Sequence, residues 1–177
     1  MKVRFAREDG TVFVTDDGKV MVREADVTDL RTQILVAIGT RLLTILTANG
    51  YETELGENVF VWRDLTREPF ASSELSGIAY NDVSDESEPL TFEKELHRLT
   101  VEMTIGASGE TVESTLRLIA ADLEVALNTD RTFGALAMES LLGTNEIAIE
   151  HVENKIGILT VPLNIEYTTL VGDPYHH

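Results

Sequence analysis

The chain has 177 residues, the length of one domain, and the 43% that are hydrophobic suffice for a core but form no run long enough to span a membrane. Its formal net charge of -17 comes from 31 acidic and 14 basic residues, which excludes a protein that grips nucleic-acid phosphates through clustered Lys and Arg. It contains no Cys, which excludes disulfides and thiolate metal sites.

The first 25 residues predict a small β extension. They begin with "MKVRFARED", which is charged and lacks the apolar stretch of a secretory signal, so synthesis in the cytosol is expected. In "TVFVTDDGKVMV", Asp17-Gly18 lies between two Val-rich runs, a pattern that predicts a β-hairpin within residues 1–22. A hairpin of this size is not stable alone, so we expect it to pack on the main domain or on another chain.

Residues 26–172 are predicted to form the main domain, and its first element is a long helix over 27–49. Apolar residues recur there at spacings of three and four: Leu30, Ile34, Ile38, Leu42 and Ile45. Asp26 or Thr28 would cap the start of this helix, and Gly50 would end it.

Three strands are predicted to follow, at 59–64, 76–82 and 95–105. The first two are separated by a loop around Pro69, and the last two by the acidic turn "DVSDESEP". In the third strand, apolar residues alternate with polar ones, as in a half-buried strand: Leu99, Val101, Met103 and Ile105.

A second helix is predicted from near Ser108 or Glu110 to Asn128, and a β-hairpin over 145–169 closes the domain. Pro162 lies in the last strand and cannot donate a ladder hydrogen bond, which predicts an edge strand or a bulge. Residues 173–177 end in "YHH", which we interpret as a tail that includes purification-tag residues.

The order of these elements predicts an α+β fold, in which two amphipathic helices pack on one face of a mostly antiparallel sheet, with an N-terminal β-hairpin. The predicted core brings together the apolar faces of both helices and of the long strands. Its expected members are Ile38, Leu42, Val101, Met103, Leu116, Ile119, Leu123, Val161 and Ile165.

The sequence contains no catalytic signature. HExxH, GxSxG and P-loop motifs are absent, and His97 and His151 are interpreted as ordinary strand residues. Asp82, Asp85 and Glu86 have the oxygen ligands that Mg²⁺ prefers, so a metal-dependent enzyme is one alternative, although the spacing does not fit an EF-hand. A solvated loop and a wall that repels anions are the other two interpretations of this acidic segment.

The element order resembles that of the tail terminator proteins of long-tailed bacteriophages, also called minor tail or tail completion proteins. The resemblance covers about residues 27–170 and is carried by "WRDLTREPF", "GIAYND", the acidic loop "VSDESEP", the long strand "LHRLTVEMTI", the helix "TVESTLRLIAADLEVAL" and the closing hairpin. The N-terminal hairpin departs from the simplest members of that family.

The resemblance implies a structural virion protein at the head-proximal end of the tail, without enzyme activity or cofactor and without a membrane. Such proteins cap the finished tube as a ring, usually a hexamer, and contact the tail tube protein and a head completion or connector protein. DNA would pass through the channel without specific binding, and six copies would surround it with a formal charge of roughly -100. Carboxylates that face the channel would then repel phosphates, with an acidic loop as the candidate: Asp82, Asp85, Glu86 and Glu88.

Four residues are candidate contacts with a partner, because aromatic and Arg side chains often anchor interfaces: Trp62, Arg63, Arg67 and Phe70. A core position for Trp62, and solvated positions for Arg63 and Arg67, are the alternatives. Another head–tail connector or neck protein would share most of the features described above and remains an alternative function.

Overall fold

The computed structural model describes residues 4–5, 12–14, 20–22, 28–151 and 155–177. The N-terminal extension forms a three-stranded antiparallel sheet in the order β1-β2-β3, with strands β1 (Arg4–Phe5), β2 (Val12–Val14) and β3 (Val20–Val22). The pairing of β2 with β3 is that of the predicted hairpin, and its Asp17-Gly18 turn lies outside the described residues.

Helix α1 (Leu30–Leu42) is shorter than the predicted helix over 27–49. It begins after Asp29, whose Oδ1 accepts the Thr32 N–H at 2.9 Å, so Asp29 is its N-cap. The helix ends at Leu42, where the Thr44 hydroxyl donates a hydrogen bond to the Arg41 carbonyl at 2.7 Å. This local side-chain bond competes with continuation of the helix. Ile45 is buried as expected, but in the turn, where its carbonyl accepts the Gly56 N–H at 2.8 Å.

The main sheet has six strands in the order β4-β5-β6-β9-β7, and β8 also pairs with β9. Among the described strands of this sheet, β4 and β5 run parallel and every other pairing is antiparallel. The predicted α+β class with a mostly antiparallel sheet is therefore confirmed, and β7 is a strand that the sequence pattern did not predict. The strands are β4 (Val59–Val61), β5 (Gly77–Pro89), β6 (Lys94–Ser108), β7 (Glu139–Leu142), β8 (Glu146–His151) and β9 (Lys155–Leu170).

The core lies between one face of this sheet and the two helices, α1 and α2 (Val112–Asn128). Every member of the predicted core is at most 1% exposed, which confirms that set. The alternating apolar residues of β6 face the helices, as their period of two requires.

The acidic segment is part of strand β5, so its prediction as a turn or solvated loop is wrong. Strand β5 continues to Pro89 and pairs with β6 up to Pro89 and Glu95, with a bulge between Asp82 and Ser84. The chain reverses only afterwards, between β5 and β6. A strand tolerates these acids because it sends successive side chains to opposite faces, where different basic residues meet them.

Pro162 lies in a central strand, so the predicted edge position is wrong. Strand β9 pairs with β6 on one side and with β7 and β8 on the other. On that second side β7 ends opposite Leu163 and β8 begins opposite Thr160, and Pro162 lies in the gap between them. Its carbonyl accepts the Gly143 N–H at 2.7 Å there, so the missing N–H of Pro162 interrupts no ladder.

Candidate functional site

Two of the predicted site acids, Asp82 and Asp85, lie on the helix-covered face of β5, near the start of α1. The Arg31 guanidinium forms an ion pair with the Asp82 carboxylate, and its Nη1 lies 3.7 Å from Asp85 Oδ2. The Trp62 indole N–H donates to Asp82 Oδ1 at 2.8 Å. The side chains of Asp82 and Asp85 are only 14% and 13% exposed. Because Arg31 binds both of them, these two acids do not form a free anionic surface.

Asp85 also contacts two residues from neighbouring strands. The Tyr167 hydroxyl donates to Asp85 Oδ2 at 2.8 Å, and His97 Nδ1 lies 3.3 Å from Asp85 Oδ1. The His97 ring stacks on Tyr167 with centroids 4.6 Å apart, and its Nε2 lies 3.0 Å from the Thr169 hydroxyl. We call these residues the Asp85 network: Arg31, Asp82, Asp85, His97, Tyr167 and Thr169.

The Asp85 network contains the connectivity of a carboxylate, an imidazole and a hydroxyl that hydrolases use to activate a nucleophile. The hydroxyl would have to reach a substrate, but Thr169 is 3% exposed. A buried hydroxyl cannot attack an external group without rearrangement of the sheet. The arrangement instead ties α1, β5, β6 and β9 together where they extend beyond the apolar core.

The acids do not converge on a cation position. Asp85 and Glu86 are adjacent in a strand and therefore project to opposite faces of the sheet. Within the described part of the chain, no three His, Asp or Glu side chains form a group that could hold a metal ion. The geometry therefore does not bring Asp82, Asp85 and Glu86 together around one cation position.

The other sheet face is not covered by the helices, and we call it the open face. Glu88 lies on it and pairs with Arg98 at 2.7 Å, and Glu166 lies 3.3 Å from the same guanidinium. Glu86 is exposed on this face opposite Arg98, beside a cavity of about 380 Å³. By the strand register, six acids whose side chains the structure describes share the open face: Glu86, Glu88, Glu102, Glu139, Glu146 and Glu166.

Arg63 holds the loop between β4 and β5 and is not a solvated side chain. Its guanidinium lies 4.4 Å from the centroid of the Phe60 ring and 5.5 Å from that of Phe70. It also pairs with Glu74 at 2.9 Å, and this hydrogen bond lowers the pKa of the Glu74 carboxyl. Phe70 packs over Gly106 so closely that a Cβ there would come within 2.6 Å of its ring.

Trp62 and Arg67 are the two predicted contact residues that lie open to solvent. Trp62 is 45% exposed and has a φ of 53°, so a core position for it is wrong. The Arg67 side chain is 86% exposed and lies 3.3 Å from Asp64, an ion pair that solvent largely screens. The four predicted contacts therefore divide into two that stabilise the loop and two that a partner could reach.

Sequence reasoning missed the basic and aromatic members of the Asp85 network. In sequence, His97 looks like an ordinary strand residue, and no motif includes Arg31. One signal was present: His97 and Tyr167 occupy helix-facing positions directly next to the apolar positions Leu99 and Ile165 of the same strands. Polar groups at such positions indicate a hydrogen-bonded cluster, because burial without partners is unfavourable.

Comparison with known proteins assigns no family. No protein-family model matches the chain, and no curated protein matches it significantly. In the described part of the chain, neither helix is both long and apolar enough to cross a membrane.

The Asp85 network and the core predict an unusual titration of two tyrosines. Burial raises the pKa of the Tyr80 phenol. The pKa of the Tyr167 phenol is also raised, mainly by burial and in addition by the hydrogen bond to Asp85. A raised phenol pKa favours the folded state below the unfolded pKa of about 10, and this stabilisation is lost as pH rises through the folded value. In an alkaline absorbance titration, two of the four tyrosines should ionise only when the protein unfolds.

Tyr167→Phe and Tyr80→Phe provide the controls. Each should reduce by one the number of tyrosines that ionise only on unfolding. Reversible ionisation of all four tyrosines near pH 10, with an unchanged circular dichroism spectrum, would contradict the described packing.

Proposed function

We propose that this chain is a structural protein of a long-tailed bacteriophage, which caps the tail tube as a ring, ends tube polymerisation and provides the surface that joins the head. The observation that carries the proposal is the order of elements from α1 to β9. A helix, a strand, a Pro-containing loop, two long strands, a second helix and a closing hairpin occur in the order of the tail terminator family. Two features depart from that order: strand β7 lies between the second helix and the hairpin, and the acidic segment is part of β5. Residues 28–170 contain this whole series.

The arrangement of the sheet supports a role in assembly. One face is covered by α1 and α2, whereas no described helix covers the open face and no described strand but β6 pairs with β5 beyond Tyr80. Sheet edges and exposed loops are common docking elements in protein assemblies. In the proposed ring, a chain uses such surfaces to contact other copies, the tail tube protein and a head completion or connector protein.

The open face also gives the proposed channel a different lining from the one expected from the sequence. Asp82 and Asp85 are bound to Arg31, so they are replaced in this role by the six acids of the open face. Arg98 neutralises part of this charge, through Glu88 and Glu166. A face of this composition repels phosphates, so DNA would pass along it without specific binding.

Trp62 and Arg67 are the proposed contacts with the tube, because both are exposed on one loop. We expect the purified protein, labelled with gold, to bind one end of isolated tail tubes in electron micrographs. A Trp62→Ala/Arg67→Glu double variant should bind much less. Trp62→Ala/Arg117→Glu is the matched control, because it repeats the charge change on the exposed surface of α2.

Label distributed along the tube wall, or no label at either end, would contradict the proposed function. If both double variants lose binding equally, the loss results from Trp62→Ala or from the change in net charge. Arg67 would then not be a contact residue.

A further inference from the structure

Strand β5 has a long edge with which no strand in the described part of the chain pairs. Strand β4 pairs with it only from Ile78 to Tyr80, and the Trp62 N–H then bonds the Tyr80 carbonyl at 3.1 Å. From Asn81 to Pro89, β6 is the only described segment whose backbone hydrogen-bonds to β5. Nine residues in a strand give an available edge of roughly 30 Å.

The composition and shape of this edge limit which strands can pair with it. Four acids, a bulge after Asp82 and a terminal Pro89 are devices that discourage pairing with an arbitrary strand. A second β5 would bring acids opposite acids, and like charges across a strand pair are destabilising. Strands β7 and β8 at the far side of the sheet are also acidic, with Glu139 and Glu146. A strand that adds to β5 must therefore be basic.

The N-terminal sheet supplies such a strand. Strand β1 (Arg4–Phe5) lies at an edge of that sheet and pairs only with β2 among the described strands. In sequence, the segment from Lys2 to Arg7 contains three basic residues and no acid. Its charge is opposite to that of Glu86 and Glu88, the two exposed acids of this edge, whereas Asp82 and Asp85 are bound to Arg31.

We propose that β1 of one copy adds to the free edge of β5 in a second copy, so that neighbouring subunits are joined by a shared sheet. Main-chain hydrogen bonds provide the affinity of such strand addition, and the opposite charges select the partner. The contact uses different surfaces on the two copies and can therefore close into a ring. This inference rests on the proposed function, because it names the contact between subunits of the proposed ring.

A charge exchange tests this contact. We expect the wild-type chain to associate reversibly in sedimentation equilibrium at concentrations up to about millimolar. Arg4→Glu and Glu86→Arg should each weaken association about tenfold, because each places like charges across the contact. An equimolar mixture of the two variants should recover the wild-type affinity to within about threefold, since each chain then offers the charge that the other requires.

Glu124→Arg is the matched control, because it makes the same charge change as Glu86→Arg at an exposed position of α2. It should not reproduce the loss, and an unchanged circular dichroism spectrum should show that each variant is folded. Recovery on mixing also separates a contact between copies from one within a chain, which mixing could not restore.

Three outcomes would overturn the proposed contact: a wild-type chain that stays monomeric, an equal effect of Glu124→Arg, or a mixture that does not recover. These outcomes leave the proposed function to be decided by its own test on tail tubes. Conversely, recovery on mixing together with no binding to tube ends would establish the contact and contradict the function.

Discussion

Leu116→Ala is expected to lower the free energy of unfolding by about 2–5 kcal/mol. Leu116 is fully buried in α2, and its side chain lies directly over Gly157 of β9. A Cβ at Gly157 would come within 2.7 Å of Leu116 Cδ1, so the two elements meet without spare space. Truncation leaves a cavity that this rigid contact can fill only in part, and urea denaturation followed by circular dichroism measures the loss.

Leu118→Ala is the control, because it removes the same atoms from a position two residues further along the same helix. Leu118 is 46% exposed, so its truncation should change the stability by no more than about 0.5 kcal/mol. A change below about 0.5 kcal/mol for Leu116→Ala as well would contradict the packing of α2 on the sheet.

The contact can be tested from its other side with Gly157→Ala. The new methyl would meet Leu116 and also Val112, whose Cγ2 lies 2.8 Å from the ideal Cβ position, so the substitution should destabilise the protein alone. In the Leu116→Ala background, part of this clash is removed. The double variant should therefore be less destabilised than the sum of the two single variants.

The helices and the core could be predicted from the sequence because their signals are local. In β6, Leu99, Val101, Met103 and Ile105 alternate with polar residues, and all four are buried against the helices. In α2, Leu116, Ile119 and Leu123 recur at helical spacing on the buried face. Such periods depend only on the backbone geometry of each element, so a single sequence shows them.

The extent of β5 could not be predicted because it depends on partners far along the chain. Asp82 contacts Arg31, which is 51 residues away, and Asp85 contacts Tyr167, which is 82 residues away. Local composition instead favoured a turn, since acids and a Pro are depleted in strands. The same limitation applies to Pro162, whose position is tolerated because β7 and β8 leave a gap opposite it.

The candidate site was predicted in part. The sequence singled out Asp82, Asp85, Glu86 and Glu88 as an acidic group, but it could not divide them between two faces of a sheet. The bulge at Val83 changes the register there, and a one-residue change reverses which side chains face the core. Likewise, Arg63 and Arg67 look equivalent in sequence, and only the fold shows that Arg63 lies over two Phe rings.

Under the proposed function, loss of this protein should change tail length more than any single substitution changes it. A tube that lacks its terminator has no block to further addition, since each tube ring presents the growth surface for the next. Infected cells without the protein should therefore accumulate tubes longer than wild-type tails and heads that are not joined to them. Supplying the wild-type gene in trans should restore both length and joining.

The distribution of tail lengths in electron micrographs of such lysates tests the central claim most directly. The proposed function predicts a broad distribution that extends beyond the wild-type length, together with free heads. Tails of normal length that are joined to heads in the absence of this protein would contradict a terminator role.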